Sequence, residues 1–98
     1  MSSDPYALAI HPLAEKEWGN LDESVKSRFK AKLVKERLRQ PRVAKDAVHA
    51  LPDCYKIKIA TPHCRVAYRV DDAKRLVTLL AVSSRDDVYA LLEARIRN

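Results

Sequence analysis

Lys56 and Lys58 stand two residues apart, Arg65 follows on the next stretch of chain, and Arg85 and Tyr89 lie four positions apart further on. Residues of these types suit an anion, and cleavage of a phosphodiester is the demanding case. When an RNA is cut by its own 2′-hydroxyl, the hydroxyl proton must be removed, charge on a phosphorane-like transition state neutralised, and the departing 5′-oxygen protonated. Histidine commonly moves such protons, but only His63 falls near this basic stretch, at a turn. A lysine can substitute where neighbouring positive charge disfavours its protonated form and draws its pKa toward neutrality. Arg65 and Arg85 offer a guanidinium fork for a phosphate, and Tyr89 an aromatic ring for a base. A solvated basic surface accounts for the same cations, and ordinary helix packing for Tyr89; residue types alone leave both readings open.

The elements that must position these groups follow from the periodicity. From residue 53 onward the apolar pattern has period two: Tyr55, Ile57 and Ile59 alternate with Cys54, Lys56 and Lys58, and a second strand runs over 64–70. A four-residue connection, 60–63, pairs Ile59 with Cys64, Ile57 with Val66 and Tyr55 with Tyr68, which gathers the apolar members on one face. Lys58 then opposes Arg65 and Lys56 opposes Ala67, with Arg69 further along. Like charges directly opposite destabilise a sheet, so this face invites a functional explanation. After a turn at 71–74, residues 75–82 (RLVTLLAV) are nearly all apolar, as expected of a central strand covered on both faces. Arg85 emerges at the end of that strand. Asp86 and Asp87 suit the positive end of a final helix that continues through Val88, Leu91, Leu92 and Ile96.

Upstream, residues 6–11 read as a short strand stopped by Pro12. Ala14, Trp18 and Leu21 mark a short helix interrupted at Gly19-Asn20. A second helix from about Asp22 to before Pro41 carries Val25, Phe29, Leu33 and Leu38 on one face. Its remaining charges, Arg37 among them, read as a solvated surface that adds non-specific attraction for nucleic acid. Residues 42–52 form a connection with room for one helical turn at 44–49. The predicted order is β-α-α-β-β-β-α, an α+β domain with helices packed on one side of a small antiparallel-rich sheet. Tyr55, Tyr68 and Trp18 belong to its core.

A chain of 98 residues has room for one domain, and a net charge of +6 favours a polyanionic partner. No apolar run is long enough to span a bilayer, and residues 1–5 lack a basic segment leading into an apolar one, so the expected location is cytoplasmic, with no membrane partner. Cys54 and Cys64 are then expected as reduced thiols, held too far apart by the hairpin register for a disulfide. With His11, His49 and His63 they lack the paired spacing that holds a tetrahedral ion, so neither metal nor cofactor is expected.

Three segments, LPDCYKIKI at 51–59, CRVAYRV at 64–70 and SRDDVY at 84–89, resemble the RelE toxins of bacterial type II toxin-antitoxin modules, within the RelE/ParE superfamily. The segment EKEWGNLDESVKSRFKAKL at 15–33 is similar too, so the likeness spans almost the whole chain as a single toxin domain, 1–98. The resemblance implies a microbial-ribonuclease-like fold and an endoribonuclease that cuts messenger RNA in the A site of the 70S ribosome and so inhibits translation. It further implies neutralisation by a RelB-like antitoxin, with DNA reached only indirectly, through the antitoxin complex at its operator. The family's paired lysines match Lys56 and Lys58, for proton abstraction and electrostatic stabilisation. Its phosphate-binding arginine matches Arg65, its general acid or transition-state-stabilising arginine matches Arg85, and its substrate-orienting tyrosine matches Tyr89. Two departures stand out: Asp86 and Asp87 replace a longer basic segment of some relatives, and Cys64 replaces an aromatic residue. A ParE-type inhibitor of DNA gyrase on the same scaffold, and a non-catalytic RNA-binding module, are the alternatives.

Overall fold

The computed structural model describes residues 5–59, 63–84 and 87–97. Strand β1 (Ala7–Ile10) leads into helix α1 (Pro12–Gly19), which starts where Pro12 fills a first-turn position and the His11 side chain accepts a hydrogen bond from the Leu13 N–H. Helix α2 (Glu23–Lys32) buries Val25 and Phe29 and continues as a π-helical turn, Leu33–Arg37. After a 3₁₀ turn at Ala44–Asp46 come β2 (Cys54–Ile59), β3 (Cys64–Asp71), β4 (Leu76–Ser83) and helix α3 (Val88–Arg97).

The order of elements is the predicted one, and the four strands align as β1-β4-β3-β2. β4 is central, pairing parallel with β1 and antiparallel with β3, as its continuous apolar run demands. The hairpin register is also as predicted, Lys58 opposite Arg65 and Lys56 opposite Ala67. Cys54 and Cys64 stand at opposite ends of the hairpin, in separate apolar clusters.

The helices expected on one side of the sheet divide between its faces. Val25, Phe29 and Leu33 from the α2 side pack with Ile57, Val66, Tyr68, Val70, Val77 and Leu79. Val88 and Leu92 of α3 pack with Cys54, Ala67, Leu80 and Ala81 on the other face. A β-bulge makes this possible. Ala67 pairs with Ala81 and Tyr68 with Leu79, so Leu80 is an extra residue in β4. Leu79 and Val82 then face α2 while Leu80 and Ala81 both face α3.

β1 covers β4 only from Leu76 to Leu79, and beyond it no strand among the described residues pairs with β4 on that side. An ion pair fills the gap. Glu17 of α1 accepts from the Val82 N–H at 3.1 Å, and Arg95 of α3 donates to the Leu80 carbonyl at 2.7 Å. The two side chains join at 2.6 and 2.8 Å, tying α1 to α3 around the open edge. Burial opposes ionisation of the Glu17 carboxyl, but hydrogen bonds from Arg95 and Val82 outweigh it and hold its pKa below the ordinary value.

The end of α2 departs from the reading as a solvated charged face. The apolar residues step by four from Val25 to Phe29 to Leu33, then by five to Leu38. A five-residue step is the hydrogen-bond spacing of a π-turn, and the Leu38 N–H indeed donates to the Leu33 carbonyl. That wider turn swings Arg37 inward, where only 3% of its surface remains exposed.

Candidate active site

Pleating sends Lys56, Lys58, Arg65 and Ala67 to the face of the sheet that carries α3. Lys58 is exposed and Lys56 half-buried. Tyr89, in the first turn of α3, brings its ring to 5.7 Å from the Lys56 ammonium, within cation-π range. Strand pleating brings Lys56, Lys58 and Arg65 together on this face, and α3 adds Tyr89. Arg85 lies outside the described residues, as does Asp86, while Ser83, two positions before Arg85, pairs with Arg65 across the sheet.

Arg65 differs from expectation in its burial. Sequence reasoning places it at the surface, whereas only 9% of it is exposed. It sits on the inner member of the hairpin, between β2 and β4, and α3 packs on the same face, so its side chain is enclosed, one terminal guanidinium nitrogen included. An enclosed guanidinium keeps a fixed direction, which suits a group that must meet a phosphate in one orientation.

Arg37 is the group near these cations that the sequence reading passes over. One of its terminal nitrogens donates to the Lys56 carbonyl at 3.1 Å and to the Tyr68 hydroxyl at 3.1 Å, and the other meets Asp46 at 2.5 Å. Tyr68 in turn donates to the Pro41 carbonyl at 2.6 Å. Burial opposes the charge on Arg37, but its bonds to Tyr68 and Asp46 prevail and raise its pKa further. The five-residue step from Leu33 to Leu38 is the signal in the sequence that could have found it.

Comparison with known proteins places the chain in a family. The model of the ParE toxin of the type II toxin-antitoxin system parDE matches residues 8–89. The mRNA interferase toxin RelE of Escherichia coli (strain K12) is 38% identical over 93 residues, 93% of this chain and 97% of that protein. Among solved structures, a free E. coli RelE carrying two arginine-to-alanine substitutions superposes with a TM-score of 0.87 at 35% identity, covering 95% of this chain and 99% of that one. The toxin in the intact E. coli RelBE toxin-antitoxin complex gives 0.79 at 36% identity, over 83% and 98%. The chain belongs to the RelE/ParE superfamily of type II toxin-antitoxin toxins, with RelE as its likeness in both sequence and fold.

Proposed function

We propose that this protein is a ribosome-dependent endoribonuclease that cuts messenger RNA in the A site through attack of the RNA's own 2′-hydroxyl, with protein cations rather than a metal ion supplying the charge stabilisation. The observation that carries the reading is the shared face of Lys56, Lys58 and Arg65 with the Tyr89 ring set against Lys56. The name of its E. coli relative, an mRNA interferase toxin, agrees with it.

In the proposed reaction, the paired lysines serve proton abstraction and electrostatic stabilisation as the 2′-oxygen bonds to phosphorus. The P–O5′ bond breaks, leaving a 2′,3′-cyclic phosphate on one fragment and a 5′-hydroxyl on the other. Arg65 holds the phosphate. Arg85 protonates the leaving oxygen or stabilises its charge, and Tyr89 orients the nucleotide while it confines the Lys56 ammonium. A RelB-like antitoxin neutralises the toxin, by analogy with the E. coli complex. The enzyme works in the cytoplasm, where ribosomes are.

The test uses purified protein and ribosomes programmed with a defined message. Cuts within the A-site codon, absent without ribosomes, support the proposal. The matching family model carries the ParE name, so gyrase is assayed in parallel. Gyrase-dependent DNA breaks with an intact message would replace this reading with that of a gyrase inhibitor, and binding to RNA without cuts would replace it with that of a non-catalytic module.

A further inference from the structure

Lys56 and Lys58 stand on β2, one of the two edge strands of the sheet. An edge strand has one row of backbone groups with no neighbouring strand, and without other partners it twists and frays. A side chain required to meet a reacting atom is poorly served by such a backbone, since a misplacement of about 1 Å can cost on the order of 100-fold in rate. From Cys54 to Lys56 the outer row of β2 is closed here by other means. The Cys54 carbonyl accepts from the Val48 N–H at 2.9 Å, and two residues on, the Lys56 carbonyl accepts from Arg37. The bridge between Ala47 and Tyr55 covers the position between them.

We infer that Arg37 is a positioning residue: its buried guanidinium, swung inward by the π-helical turn, fixes the Lys56 backbone on the edge strand and thereby aims the Lys56 ammonium at the Tyr89 ring and the substrate. The inference rests on the nuclease reading for the role of Lys56, but its geometric half stands independently. One planar fork meets three acceptors from separate parts of the chain: the Lys56 carbonyl on β2, the Tyr68 hydroxyl on β3 and the Asp46 carboxylate in the 3₁₀ turn. A tetrahedral ammonium at that position cannot reproduce this spread. A π-turn is a costly irregularity in a helix and is often found where function needs it. Here it is what delivers the guanidinium to β2.

Arg37→Lys is therefore compared with Tyr68→Phe, which removes a hydroxyl from the same network while leaving the bond between Arg37 and the Lys56 carbonyl. The first readout is the NMR shift of the Lys56 ε-methylene protons, moved upfield by the Tyr89 ring current and assigned by its loss in Tyr89→Leu. The shift is expected to collapse in Arg37→Lys and to persist in Tyr68→Phe. The second is cleavage on saturating programmed ribosomes: kcat falls about 10- to 100-fold in Arg37→Lys with KM nearly constant, whereas Tyr68→Phe lowers Tm but not kcat. If Arg37→Lys does not fold, Asp46→Ala, at a more exposed position, is expected to weaken both the shift and kcat by freeing one arm of the fork. A folded Arg37→Lys that keeps either the upfield shift or wild-type kcat overturns the inference, as does Asp46→Ala with both unchanged where Arg37→Lys does not fold. Wild-type protein that shows the shift and its dependence on Arg37 but cuts no message would overturn the nuclease reading and leave the positioning geometry standing.

Discussion

At the scale of single residues, the enclosure of Arg65 separates charge from shape. Arg65→Lys keeps a positive charge near the phosphate but loses the planar fork that donates to two oxygens at once, and that fork is the reason for choosing arginine. If Arg65 orients the phosphate, the substitution slows single-turnover cleavage about 10-fold or more, equivalent to roughly 1.4 kcal/mol or more of transition-state stabilisation. A rate matching the wild type would remove Arg65 from the site. Tyr89 allows a companion measurement. A cation-π contact uses the ring and not the hydroxyl, so Tyr89→Phe is expected to retain the Lys56 NMR shift and Tyr89→Leu to lose it. Loss in the phenylalanine variant would mean that the hydroxyl fixes the pair. The faces of Lys56, Lys58 and Arg65 were legible because a strand has a side-chain period of two and the connection sets the register. The burial of Arg65 was not, because it depends on α3 packing over that face, which no local pattern encodes.

At the scale of elements, the strands were more readable than the helix ends. The apolar run 75–82 announced a central strand covered on both faces, but the expected packing of all helices on one side left the second cover unassigned, and the structure supplies it with α3 opposite α2. The end of α2 was obscured by its density of lysines and arginines, among which Arg37 looks like any solvated neighbour until the step from Leu33 to Leu38 is counted. The closure of β4 beyond β1 by Glu17 and Arg95 was out of reach for a different reason: its partners lie on α1 and α3, brought together only by the tertiary fold. This closure has a pH signature. The folded-state pKa of Glu17 is depressed, so its contribution to stability is fully present above the unfolded carboxyl value, about 4.3, and is lost as pH falls through the folded value. Glu17→Gln lacks that contribution throughout. Urea unfolding is expected to find the variant about 1–3 kcal/mol less stable at pH 7, between the costs for exposed and buried pairs, with the gap to wild type shrinking below pH 4. A gap that stays constant into acid would mean that the carboxylate charge contributes nothing and that shape alone accounts for the loss.

At the scale of the whole molecule, the net charge of +6 includes two groups of cations to which the nuclease reading gives different duties. Lys56, Lys58 and Arg65 share the face next to α3, while Lys30, Lys35 and Arg39 are exposed along α2 and the turn that follows it. The composition disclosed the total, the strand period disclosed the group next to α3, and the helical period disclosed the exposed cations of α2 but not the inward turn of Arg37. Long-range attraction depends on total charge and is screened by salt, whereas chemistry on bound substrate depends on the few groups in contact with it. Replacing Lys30, Lys35 and Arg39 by Glu changes the formal charge by three times two units, from +6 to zero. On the nuclease reading, the triple variant is expected to lose kcat/KM on programmed ribosomes at low salt by about 10-fold or more through slower association, while kcat at saturation stays near wild type. The difference is expected to shrink as salt is raised toward 0.5 M, since screening removes the advantage of the wild-type charge. A fall in kcat itself, persisting at high salt, would show that these three cations touch the reacting complex and that the division of duties between the two regions is wrong.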